Sequence, residues 1–111
     1  MLTAVVGEVV VSKDKLIKAM QDMEASEIIA FPSGALEDVT DEVSKELGLA
    51  ICYDVYASCS WKFGVTNLMR LLKQSGGVLV LTRGKELTTH EEFILNEANS
   101  IGVLKIKHLY A

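Results

Sequence analysis

The densest group of residues able to do chemistry in this chain is Thr88-Thr89-His90-Glu91-Glu92. A threonine hydroxyl at a helix start is a phosphate ligand, and a carboxylate close behind it engages a ribose or takes part in acid–base chemistry. The same spacing has a purely structural reading. Thr89-x-x-Glu92 is a capping box that satisfies two otherwise unpaired N–H groups, and neighbouring acids in a first turn complement the helix dipole. Both readings stand at the level of sequence. Asn67 is open in the same way, as a ligand contact or a cap, and Glu37 and Asp38 are expected at another helix start for dipole reasons alone. Gly7, Glu8, Ser33, Gly34, Arg83 and Gly84 complete the candidate ligand-binding set.

Trp61, the only tryptophan, either stacks on a base or buries itself against the end of a sheet. His90 and His108 are isolated, with no third ligand at metal spacing, so no zinc site is expected. No GxSxG, Walker A or complete GxGxxG motif occurs.

These residues need elements to position them. Leu2 to Val11 is an apolar, β-branched run, suited to a strand buried on both faces of a parallel sheet. Ser12 is an N-cap before a helix with the stripe Leu16, Ile17, Met20 and Met23. Glu27 to Phe31 reads as a second strand, stopped by Pro32. Val39, Val43 and Leu47 mark a second helix, closed by Gly48. Leu49 to Tyr53 is a third strand. An irregular segment from Asp54 to Gly64 leads to a helix with Val65, Leu68, Met69 and Leu72 inward.

Val78 to Leu81 is the fourth strand, and Thr82 to Leu87 opens onto a helix with the stripe Phe93, Ile94, Glu97, Ala98 and Ile101. Val103 to Lys107 alternates as an edge strand does, with its lysines turned to solvent. The order βαβαβαβαβ predicts one doubly wound, mostly parallel five-stranded sheet over residues 1–111, with helices on both faces, a Rossmann-like fold. Ligands in such sheets bind beyond the carboxyl ends of the strands. That rule selects Gly7-Glu8, Pro32 to Asp38, Tyr56 to Gly64 and Thr82 to Thr89.

Composition sets the outer bounds. Half of the 111 residues are hydrophobic, enough for a core without staples. No apolar run reaches the roughly 20 residues of a membrane-spanning helix, and no basic n-region precedes the first strand. The formal charge is −4 with no basic block, which disfavours nucleic-acid binding, and Lys13, Lys15 and Lys18 sit among acids as a solvated helix face. Cys52 and Cys59 match neither a CxxC nor a disulfide framework, which fits a reduced cytoplasm. Cys52 lies in an apolar run and reads as a core residue, while Cys59 lies in a loop.

Taken in order, the loops resemble the compact branch of the SLOG superfamily, the YspA-like proteins related to lysine decarboxylase-like and LOG phosphoribohydrolase proteins. Ser33-Gly34-Ala35 followed by Val39-Thr40-Asp41-Glu42-Val43 resembles that family's Gly-Gly-Ala turn and the helix after it. Tyr56-Ala57, Trp61, Gly64 and Thr66-Asn67-Leu68-Met69 resemble its tract ending in Arg-Asn-x-x-Met. Leu87-Thr88-Thr89-His90-Glu91 resembles the Gly-Thr-x-x-Glu part of PGGxGTxxE. The resemblance implies a nucleotide-type ligand or phosphate, a homodimer, and Glu91 as the acid if the protein is active.

The departures point the other way on catalysis. Arg83-Gly84 and Leu87 stand where the family has glycines, and Thr66 replaces the arginine. Leu87 adds bulk where a backbone approaches phosphate, and Thr66 lacks a bidentate donor. The expectation is therefore a small protein that binds a nucleotide or nucleotide derivative without turning it over. One alternative is an interaction or assembly module that has kept the fold and lost the ligand site. Another is a nucleoside monophosphate phosphoribohydrolase, which requires Glu91 and a neighbouring acid to suffice alone.

Overall fold

The computed structural model describes residues 1–31, 35–53 and 60–111. The elements run β1 (Leu2–Val6), α1 (Lys13–Asp22), β2 (Glu27–Ala30), α2 (Ala35–Leu47), β3 (Ala50–Tyr53), α3 (Trp61–Ser75), β4 (Val78–Arg83), α4 (Thr89–Ile101) and β5 (Lys105–Tyr110). The strands form one five-stranded sheet in the order β3-β2-β1-β4-β5. Every neighbouring pair is parallel, so the expected Rossmann-like α/β architecture is present and wholly parallel.

Parallel strands need crossovers, and here the crossover helices bury both faces of the sheet. Successive side chains of a strand point to opposite faces. On one face Val5, Ile28, Val78 and Val80 pack with Leu16, Ala19 and Met20 of α1 and Leu36 and Val43 of α2. On the other, Ala4, Val6, Ile29, Leu79 and Leu81 meet Val65, Leu68, Met69 and Leu72 of α3 and Ile94 and Ala98 of α4. Ser12 caps α1 as read, its Oγ accepting the Lys15 N–H at 3.3 Å. Lys13 pairs with Glu46 at 3.4 Å and Lys18 with Asp22 at 3.8 Å, in keeping with a solvated face.

Several boundaries differ from the sequence reading. β1 stops at Val6 rather than Val11, because Gly7 leaves the strand at φ +143°. Val11 is buried beyond it, in the α1/α2 layer. α3 begins at Trp61, so Trp61 is a helical residue and not a loop one. β5 starts two residues later than expected: the Val103 N–H donates to Ala98 O at 2.8 Å and belongs to the end of α4. The alternation survives the shift, with Lys105 and Lys107 exposed.

Cys52 is the clearest correction. It is exposed on the edge strand β3 rather than buried in the core. Its Sγ lies 3.3 Å from Glu27 Oε1 on the neighbouring strand, and this hydrogen bond, followed by desolvation and the carboxylate's charge, raises the thiol pKa. Cys59 lies outside the described residues.

Candidate functional site

In the order β3-β2-β1-β4-β5 the chain turns outward in opposite directions after β1 and after β4. This switch point is where open α/β sheets receive ligands, because the two loops diverge there and leave a crevice above the strand ends. Segments 7–12 and 84–88 are those loops.

Gly7 is fixed by geometry. A Cβ built on it would collide with Thr82 Oγ1 and the Thr82 carbonyl oxygen, and its φ of +143° lies outside the range of L side chains. The fully buried Thr82 hydroxyl donates to Val6 O at 3.4 Å, fastening β1 to β4 at their carboxyl ends. Glu8 follows at the carboxyl end of the central strand, and its Oε1 lies 3.4 Å from His90 Nδ1. Both side chains are about half exposed, so the contact orients more than it stabilises.

The α4 start is the most structured part of the site. Thr88 is the N-cap, with Oγ1 accepting the Glu91 N–H at 3.2 Å. Glu91 Oε1 accepts the Thr88 N–H at 2.8 Å, completing a capping box. The box expected at Thr89 and Glu92 thus sits one residue earlier. Thr89 is the first residue of the helix and is exposed. Glu91 is fully buried, and its Oε2 has no hydrogen-bond partner among the described residues. A buried carboxylate oxygen left unpaired costs about 1–3 kcal/mol or more, so a hydrogen-bond donor placed against it would recover that penalty.

An aromatic group joins the starts of α3 and α4. The Trp61 ring meets His90 edge-on at 4.4 Å between centroids and Phe93 at 5.1 Å. Lys62 Nζ stands 5.3 Å from the Phe93 centroid. His90 therefore touches both the loop after β1, through Glu8, and the start of α3, through Trp61. Sequence reasoning passed over it as isolated, and no local signal reveals a partner 82 positions away.

The other candidates make contacts of their own. Arg83 closes β4, and its guanidinium is held within the protein. Nε donates to Gly84 O at 3.2 Å, Nη2 to Lys85 O at 3.3 Å, and Nη1 lies 3.2 Å from His108 Nδ1. Its Cζ also sits 5.0 Å above the Tyr110 ring. Because arginine has no acceptor, His108 Nδ1 must offer its lone pair, which places the neutral ring's proton on Nε2.

Gly84 has an open surrounding and no strained φ. Asn67 Nδ2 donates to Phe63 O at 2.9 Å within α3, and no contact links it to Thr88 or Glu91 among the described residues. Thr66 Oγ1 reaches Glu97 Oε2 at 2.8 Å, tying α3 to α4. Ser33 and Gly34 lie outside the described residues, as does the tract Tyr56-Ala57. Among the described residues no three of His, Cys, Asp and Glu come together as a metal set, and no helix is long and apolar enough to cross a membrane.

No protein-family model, curated protein or solved structure matches this chain.

Proposed function

We propose that the crevice between Gly7-Glu8 and the Thr88–Glu91 turn binds a nucleotide or nucleotide derivative without turning it over. The observation that carries this reading is the fully buried Glu91 carboxylate, which has one oxygen in the capping box and the other without a donor among the described residues. A ribose hydroxyl or a ring amine supplies the missing donor once the groups covering Oε2, which has no exposed surface in the unliganded protein, move aside. Trp61 and His90 offer aromatic surface beside it for a base. The absence of turnover is supported by the cations. No ion pair reaches Glu91 among the described residues, and Arg83 is engaged by Gly84, Lys85 and His108.

The test is a thermal-shift screen against nucleoside monophosphates, dinucleotides, ADP-ribose derivatives and cyclic nucleotides. At a hundredfold its dissociation constant a ligand adds about 2.7 kcal/mol of stability. A shift from one class that disappears in Glu91→Gln, with no base released from nucleoside monophosphates, is the expected result. Base release would make the protein a phosphoribohydrolase. Silence across the whole panel would leave the loops as architecture and favour the assembly-module reading.

A further inference from the structure

β5 is an edge strand, and half of its backbone faces outward. Just past its end the Ala111 N–H donates to Arg83 O at 3.0 Å. In a parallel ladder successive residues turn their N–H and C=O groups to opposite sides. Residues 105, 107 and 109 therefore bond toward β4, and Ile106, His108 and Tyr110 present theirs to the open edge. Among the described residues the only partner there is Lys15 Nζ, 3.0 Å from the Tyr110 carbonyl oxygen.

Side chains along the same strand divide by face. Lys105 and Lys107 stand in register with Val78 and Val80 of the α1/α2 layer, and Ile106, His108 and Tyr110 lie on the other face. Between β5 and α1 runs a groove of about 290 Å³, with Lys15, Lys18 and Lys107 on its walls and Ala19 and Leu109 among its lining. It shares Asp22 and Lys107 with a second hollow of about 460 Å³ that continues past Lys105 to Met23 and Val78. Four lysines thus follow the sheet edge in a chain of net charge −4. The one acid in this lining, Asp22, already pairs with Lys18 at 3.8 Å. Lys105 and Lys107 form no ion pair among the described residues.

We propose that β5 receives an extended acidic segment of a partner protein as an added strand, bonded to the outward backbone of Ile106 and His108 and to the Tyr110 N–H, with alternate carboxylates beside Lys105 and Lys107. Backbone pairing supplies the affinity in such strand addition, and the alternate side chains supply the choice of partner. A second copy of this chain is the wrong occupant. A two-fold axis perpendicular to the sheet keeps the same face upward in both copies, so lysine would stand beside lysine, which destabilises the pairing. The charges that oppose pairing of β5 with its own copy are the ones an acidic strand complements. A single-stranded nucleic acid would use the lysines but leave the edge N–H and C=O groups unpaired, and Tyr110 lies on the face away from the lysines.

The test is fluorescence anisotropy with a labelled peptide of about ten residues alternating glutamate and valine, long enough to span β5. The peptide is expected to bind at low salt, and Lys105→Glu with Lys107→Glu should weaken it about tenfold. Ile106→Pro, which deletes an outward N–H and no bond to β4, should weaken it as well. A peptide N-methylated at alternate amides makes the same measurement with the protein unaltered, and loss of binding is expected. Failure of the acidic peptide to bind overturns the proposal. So does equal binding of an alternating lysine–valine peptide, or binding that survives N-methylation. Binding of oligothymidine in place of the peptide would assign the lysines to nucleic acid.

Discussion

Thr88 and Glu91 satisfy each other's backbone at the start of α4, the Thr88 N–H reaching Glu91 Oε1 at 2.8 Å and the Glu91 N–H reaching Thr88 Oγ1 at 3.2 Å. The helix-cap interpretation open in the sequence is thereby met, and it uses only one of the two Glu91 oxygens. Oε1 belongs to the cap, and Oε2 is buried without a donor among the described residues. A capping glutamate normally keeps its second oxygen in water, where solvation is free. Here Glu91 is fully buried although Thr88, Thr89 and His90 around it are exposed, and that option is closed.

The two halves of this arrangement can be separated by mutation. Thr88→Ala removes one half of the box and should cost about 1 kcal/mol, which lowers the melting temperature by about 4 °C in a domain of this size. Glu91→Gln keeps an acceptor for the Thr88 N–H and exchanges the carboxylate for a neutral amide. Without ligand its stability should stay within about 1 kcal/mol of the parent, because an unpaired buried NH2 takes the place of Oε2, while any ligand-induced shift is abolished. A clear destabilisation in Glu91→Gln would mean that Oε2 has a donor in solution.

Gly7 and Gly84 both stand in loops at the switch point, but only one is held there by geometry. Gly7→Ala combines an unfavourable φ with a collision against Thr82, and should cost about 3 kcal/mol. Gly84→Ala meets nothing within 4 Å and should stay within about 0.5 kcal/mol of the parent. Chemical denaturation of the two variants reads the contrast directly. Equal, small effects would show that the β1 exit can relax away from Thr82.

The layers of the fold were legible because burial leaves a period. Leu16 and Met20, Val65 and Leu68, and Ile94 and Ala98 recur at helical spacing, and all are buried. Strand order was not legible, since apolar runs such as Leu49 to Tyr53 and Val78 to Leu81 look alike whether the strand lies at an edge or in the centre. That ambiguity misplaced Cys52. The β5 boundary slipped because Val103 is apolar for the sake of the α4 terminus, not the strand. At the site the Thr-x-x-Glu spacing was a local signal, but Thr88/Glu91 and Thr89/Glu92 share it, and the box was placed one residue late. The contacts of His90 with Glu8 and Trp61, and of Arg83 with His108, join separate elements, and only the packed sheet brings them together.

The environment of Cys52 gives a pH-dependent expectation. The Glu27 carboxylate accepts from its thiol and, with desolvation and charge adding to this, raises the pKa. Alkylation proceeds through the thiolate, so a raised pKa lowers the reactive fraction at any pH below it. In a Cys59→Ser background, iodoacetamide should react with Cys52 more slowly than with a free cysteine near neutral pH, and the rate should climb only in alkaline solution. Glu27→Gln should speed the reaction and move its inflection to lower pH. An unchanged profile in that variant would mean the carboxylate is turned away from the thiol.

Arg83 separates binding from architecture. Its fork spans Gly84 O, Lys85 O and His108 Nδ1, with the Tyr110 ring beneath, so it ties the β4–α4 loop to β5. A lysine has no planar fork and cannot hold these partners together, so Arg83→Lys is not conservative here. The group is only partly buried, and solvent screening limits the expected cost to about 1 kcal/mol. The melting temperature of Arg83→Lys should therefore fall, and backbone amides of Gly84 and Lys85 should exchange faster, while the free-energy increment from ligand stays near that of the parent. The opposite pattern, an unchanged melting temperature with the ligand increment lost, would make Arg83 a ligand contact and its bonds in the loop a resting position.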